Sequence, residues 1–384
     1  MHLSDWLERV DLGEEIQEVY LHSFLFKLAV NLIAIFLPLY VLELGFGPVT
    51  VFTFFFAYYA TYVFFSWPSA FVASRIGYKH TSLLASPVIL GFYLLLRTVD
   101  HSWLTLHLVG LLGGIGFNLY WAGMNPEVAE SSHSEERDAE TGLFFSMPTL
   151  GSMLSPFVGG LILAVYDFNL LLLTAAVLVG ASFLPFLFSR EHREGMAVSP
   201  RLFYSWSHVY DFLTYVGKGV NSIGKKVLWP LYLAVVIKGS VSIGGAGSLL
   251  ALGGAVTSIV LGKYVDDDNR GRVIVVAAFL TAASFLLMSQ ATSSLHAFEL
   301  SLWNGLSYTA LSIPIYSRAM DNAEREDYVE YFAFRETGLA VGRLATLAAL
   351  FAVFTVLPSS IHYLAGFGFV AAGVMTVGYT ARRL

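Results

Sequence analysis

Residues Leu213 to Ile237 read LTYVGKGVNSIGKKVLWPLYLAVVI, a stretch long and apolar enough to cross a bilayer, which takes about 20 residues of helix. The stretch nevertheless carries Lys218, Lys225 and Lys226, the last two near its middle. A cation at mid-membrane costs at least about 2.5–3.5 kcal/mol on insertion scales, so it persists only facing protein, water or a bound anion. At about 100° per residue, Lys218, Asn221, Ser222, Lys225 and Trp229 share one face, which reads as the lining of a pathway. Lys226 points about 100° away and calls for a different partner. The rival reading is that these lysines pair with carboxylates elsewhere and only hold helices together.

The rest of the chain has the composition such a span needs. Of its 384 residues 56% are hydrophobic and 13% charged. A soluble domain carries about 25% charged residues, so the chain reads as an all-α integral membrane protein. It has no cysteine, which excludes disulfides, thiolate metal sites and cysteine nucleophiles. No basic tract points to nucleic acid. Residues 1–19 are acidic, unlike a signal peptide, and the spacing of Leu3, Trp6, Leu7 and Val10 predicts an amphipathic segment on the membrane surface.

Twelve apolar spans are predicted, near 20–45, 48–73, 81–98, 102–126, 140–166, 168–188, 210–237, 241–265, 272–291, 294–318, 328–357 and 360–381. The longest polar interruption divides them six and six. The organisation is therefore a bundle over 20–188, a linker over 189–208 and a bundle over 209–384. With both termini cytoplasmic, fourteen of the 22 basic residues fall on the cytoplasmic side. Only Arg97 and Lys238 fall on the other, so the expected setting is a multi-pass protein of the plasma membrane. Six lie inside spans: Lys27, Lys218, Lys225, Lys226, Arg335 and Arg343.

The two halves repeat. Phe36-Leu37-Pro38-Leu39-Tyr40 parallels Leu228-Trp229-Pro230-Leu231-Tyr232, the prolines 230 − 38 = 192 positions apart. Tyr120, Pro126, Glu136 and Arg137 parallel Tyr308, Pro314, Glu324 and Arg325, each pair 308 − 120 = 188 apart. Many transporters are built from two six-helix repeats of one orientation, with the substrate held between them near the midplane.

Twelve spans in two parallel halves around a cytoplasmic linker resemble the major facilitator superfamily over the whole chain. The family's loop signature between helices two and three is matched in part by Ala73-Ser74-Arg75-Ile76-Gly77-Tyr78-Lys79, with Ser74 in place of the aspartate. A second copy keeps the acid: Gly262-Lys263-Tyr264-Val265-Asp266, then Gly271-Arg272. The resemblance implies a cytoplasmic latch at Arg75, Gly77, Lys79, Gly262, Asp266 and Arg272; read alone, these are positive-inside anchors around a tight turn. Span five, with Gly142, Gly151, Ser155, Pro156, Gly159 and Gly160, resembles the antiporter motif of the superfamily's drug–proton exchangers. Small residues at that spacing form a face for close helix packing, and packing is the role expected here. The membrane-embedded arginine and acid of those exchangers are missing from spans four and one.

By the same resemblance, spans one, four, seven and ten line the cavity. Their polar residues give the candidate binding set Lys27, Asn31, Asn118, Trp121, Asn125, Asn221, Lys225, Asn304 and Tyr308. Taken singly, an intramembrane asparagine or tyrosine is as well explained as interhelical glue of under about 1 kcal/mol. In span eleven Glu336 and Arg343 lie seven apart on one face. Arg343 suits bidentate capture of a carboxylate or phosphate, unless it serves a buried Arg–Glu network. Glu336 is the candidate proton-coupling group, because burial and an adjacent cation act on it in opposite directions.

No nucleotide-binding loop, zinc-type histidine pair or nucleophile elbow occurs, so neither an enzyme, a metal site nor a cofactor is expected. The embedded basic excess predicts a monomeric secondary transporter of a small anionic organic solute, working by alternating access and coupled to protons. Three readings stay open beside it: an exporter of amphipathic drugs, a lipid flippase, and a membrane scaffold that transports nothing.

Overall fold

The computed structural model describes residues 14–131, 137–187, 200–261, 265 and 269–381, which are helical almost throughout. Helices α1 (Glu14–Ala34) and α2 (Leu37–Glu43) form one apolar span broken at Ile35 and Phe36. The cause is Pro38, which has no N–H to donate and whose ring clashes with the carbonyl four residues back. Helices α3 (Pro48–Ile76) and α4 (Tyr78–Leu96) are separated by Gly77 alone. Its φ of 94° is a left-handed conformation that a side chain would strain, so this turn depends on glycine. Helices α5 (Trp103–Ser131), α6 (Arg137–Val165) and α7 (Phe168–Ser182) complete the first half.

Short 3₁₀ turns at Pro200–Tyr204 and Trp206–His208 lead into α8 (Val209–Ile223). A π-helical turn at Gly224–Leu228 then joins α8 to α9 (Trp229–Val236). The chain ends with α10 (Ser240–Leu261), α11 (Arg270–Met288), α12 (Ser294–Arg325), α13 (Tyr328–Val356) and α14 (His362–Thr380).

Among the described residues nine helices are long and apolar enough to cross a membrane, α1 with α2 counting as one. The other three expected spans, 140–166, 210–237 and 294–318, are helical but do not meet that test. The first is apolar over only a short described stretch, Gly151–Val165. The second is cut by the π turn, and the third is interrupted by Asn304, Ser307, Tyr308, Thr309 and Ser312. The last two are the helices that carry the polar face predicted from the sequence.

Within the first half α1 packs on α6 and α7, and α5 packs on α3 and α4. Within the second, α12 packs on α10 and α11, and α8 packs on α13 and α14. Two pairs join the halves along their length, α6 with α10 and α3 with α13. In the first pair the glycine-rich stretch supplies the fit: a Cβ on Gly160 would strike the Ser240 carbonyl, and one on Gly244 would strike that of Pro156. Gly151 and Gly159 turn to α1 instead, against Phe24 and Leu32, and the Ser155 hydroxyl donates to the Gly151 carbonyl. Gly142 lies in a part of α6 whose side chains fall outside the described ones.

The halves also meet at both ends. At the end bearing the linker, Trp67, Ala70, Ala73 and Tyr78 pack on Val329 and Ala333. There Phe203 stands 5.5 Å from the Trp67 ring and 5.2 Å from that of Phe334, so the linker touches both halves. At the far end Phe52 meets Phe354 edge to face at 4.9 Å.

Candidate functional site

Between those two closures the embedded cations of three helices come together. The Tyr308 ring on α12 carries two of them, with Lys218 Nζ 3.6 Å and Lys225 Nζ 4.0 Å from its centroid. The face read from the sequence survives the π turn. Trp229, one turn beyond it, donates from Nε1 to the Ser301 hydroxyl on the same helix α12 at 3.1 Å. Lys218 is buried and donates to the Ser312 hydroxyl. Lys225 is half-buried and Lys226 exposed, while Gly224, Val227 and Leu228 of the same turn are buried.

Lys226 is the telling residue. Charges on α1, the π turn and α13 surround it (Lys27, Lys225, Arg343 and Glu336), yet its side chain keeps free surface. That free surface, ringed by charges from α1, the π turn and α13, marks the candidate chamber. Lys27 enters from the other half, its ammonium 4.8 Å from the Trp121 ring and within electrostatic range of Lys225.

Helix α13 closes the group. Arg343 lies against the rings of Tyr59 and Tyr62 of α3, 4.9 and 5.4 Å from their centroids. Its Nη1 is 3.7 Å from Glu336 Oε2, while Arg335 Nη1 holds Glu336 Oε1 at 2.7 Å. One carboxylate is thus shared by two guanidiniums, and Arg343 Nε has no partner. Cation–π contacts contribute about 0.5–2 kcal/mol each and neutralise nothing, so the aromatic rings hold these cations without discharging them. None of the four lysines has an ion-pair partner among the described residues.

The predicted residues divide by geometry. Lys27, Trp121, Lys225, Tyr308, Arg343 and Glu336 converge. Asn118 is buried with both amide ends used, donating to the Ser66 hydroxyl at 3.0 Å and accepting from that of Ser69 at 2.8 Å. Asn31 donates to the Lys27 carbonyl and the Ser152 hydroxyl, and Asn304 to the Ser284 hydroxyl. These three serve helix packing first, because the hydrogen bonds they make stay within one bundle, although Asn304 Oδ1 is left without a partner. Asn125 accepts from the Tyr316 hydroxyl of the other half at 3.3 Å, a contact between bundles on the linker side. Asn221 is fully buried with neither amide atom partnered.

Sequence reading left Lys218, Lys226, Arg335, Tyr59 and Tyr62 outside the binding set. The tyrosines carried no signal, since their partner Arg343 is remote in sequence.

Of the expected latch, Gly262 and Asp266 lie outside the described residues. Lys79 meets Glu127 of α5 at 3.7 Å, in its own half. Arg75 lies over the Phe71 ring, and Arg272 is exposed. On the second half Arg270 pairs with Asp321 at 2.7 Å, and Arg318 with Asp211 at 3.0 Å.

Comparison with known proteins agrees with this architecture. The profile of the Major Facilitator Superfamily matches residues 19–347. No curated protein matches the chain. Among solved structures, the human organic anion transporter MFSD10 (TETRAN) superposes with a TM-score of 0.66 at 14% identity, covering 96% of this chain and 99% of that one. A POT family transporter in complex with a thioalcohol-conjugated peptide gives 0.74 at 14% identity, covering 95% and 94%. A POT family transporter in complex with 5-aminolevulinic acid gives the same values.

Proposed function

The chain belongs to the Major Facilitator Superfamily, hence is a membrane transporter and not an enzyme, and from that premise we propose that it moves a small organic anion by alternating access. One observation carries the anion: six cations on three helices gather together, and Glu336 is the acid among them. A cation left unpaired in a low-dielectric interior is strongly unfavourable, so a site of this sign is satisfied by a negative solute. Drug export would favour cationic substrates, which this charge repels. Lys225, Lys226 and Arg343 hold the anion, Lys27 meets it from the opposite half, and Trp121 and Tyr308 fix the ammonium positions.

Glu336 supplies the proton coupling. While ionised it competes with the solute for Arg343; protonated, it releases Arg343 to the solute. Proton and anion therefore load together, and rocking of the halves carries both across. The linker end, rich in basic residues, is placed in the cytoplasm.

The test is anion uptake into proteoliposomes by the purified protein, with and without an imposed proton gradient. Lys225→Ala combined with Arg343→Ala abolishes uptake while the protein remains folded. Unchanged uptake by that variant sinks the anion assignment, and Glu336→Gln that still responds to the gradient sinks the coupling.

A further inference from the structure

The charge count of the chamber bears on the class of anion, provided the anion reading holds. Lys27, Lys225 and Arg343 all lie within electrostatic range of Lys226, and Lys27 within that of Lys225. Against them stands half a carboxylate, because Glu336 is bonded more closely to Arg335, at 2.7 Å, than to Arg343, at 3.7 Å. Lys27 and Lys225 place their ammoniums on aromatic faces, which does not neutralise them.

The arrangement is also divided between the two halves. Lys225, Lys226 and Arg343 belong to the second half; Lys27, on its Trp121 platform, belongs to the first. A single carboxylate has two oxygens and satisfies one guanidinium or two point charges. Paired with the Arg343 guanidinium, it leaves Lys27 and the other ammoniums without a counter-charge of their own. We propose that the substrate carries at least two separate anionic groups, as a di- or tricarboxylate or a phosphate ester does. One group lies on the Lys225–Lys226–Arg343 side and the other on Lys27. Such a solute ties the two halves together and offsets the mutual repulsion of the cations, so the halves close around it more readily than around a monoanion.

Four probes of similar size decide this: butyrate, succinate, tricarballylate and glycerol 3-phosphate. Binding is read by thermal shift and transport by proteoliposome uptake, both at constant ionic strength. Succinate, tricarballylate and glycerol 3-phosphate should bind about tenfold or more tightly than butyrate, and Lys27→Ala should lower succinate affinity about tenfold more than butyrate affinity. Lys27→Gln repeats the test with the side-chain volume kept, in case the alanine variant unfolds. Equal affinity for butyrate and succinate overturns this inference and leaves the anion reading standing. Absence of binding and uptake for all four removes both.

Discussion

Two pairs of side chains occupy equivalent places in the two halves and do opposite things. In the first half Phe26 stacks on Tyr120, with ring centroids 3.9 Å apart. Shifted by the repeat offsets, 26 + 192 = 218 and 120 + 188 = 308, the pair becomes Lys218 and Tyr308, with the ammonium 3.6 Å from the ring. Around Tyr120 the space is filled: His22 donates from Nδ1 to the Ser182 carbonyl at 2.7 Å, and its Nε2 lies 3.2 Å from the Tyr120 hydroxyl. Phe183 and Phe186 complete that aromatic box. Around Tyr308 a second ammonium takes the place of such packing. One repeat position is thus a dry core in one half and a charged wall in the other. A repeat fixes geometry, and the side chain placed there decides solvation.

The contrast breaks most severely with Phe26→Lys. It puts an unpaired cation into the filled box, so a loss of about 3–5 kcal/mol of stability is expected, seen as loss of folded protein in detergent. If that variant melts like the parent, the first half is not dry. The reciprocal change, Lys218→Phe, should leave the melting temperature equal or higher, because it removes an ammonium next to Lys225. Anion uptake should nonetheless fall about tenfold, since Lys225 loses the neighbour that fixes its position on the ring. A Lys218→Phe protein with parental uptake would show that the second-half pair is ornament.

Smaller effects sharpen the comparison. Tyr308→Leu takes one ring from two ammoniums, at about 0.5–2 kcal/mol per contact, and should raise the KM for uptake several-fold with little change in folding. Tyr120→Phe removes only a hydroxyl near His22, about 1 kcal/mol of stability, and should leave uptake kinetics as they were. A change in KM from Tyr120→Phe would mean that the first-half box communicates with the chamber.

A second repeat pair explains why part of the site was readable. Pro38 and Pro230 each stand at the start of a short helix, α2 and α9, and each breaks the helix before it. At Pro38 the break is a plain turn with Phe36 fully buried. At Pro230 it is relieved over five residues by the π turn, which carries Lys225 and Lys226. Such turns are frequent at functional sites. The 3.6-residue period predicted a common face for Lys218, Lys225 and Trp229, and all three do meet α12. The same period could not say that Lys226 keeps free surface, since that depends on where α1 and α13 leave room.

The helical membrane architecture followed from the sequence, because hydrophobic length is a local property, and the cations among apolar residues stood out there because charge in such surroundings is conspicuous. Long-range contacts were decided by the tertiary structure alone. It spent Asn118 on Ser66 and Ser69, gave Arg343 the rings of Tyr59 and Tyr62, and divided Glu336 between two arginines. Each of those outcomes depends on which helices touch and how closely, and no pattern along one helix encodes the face its neighbour will present.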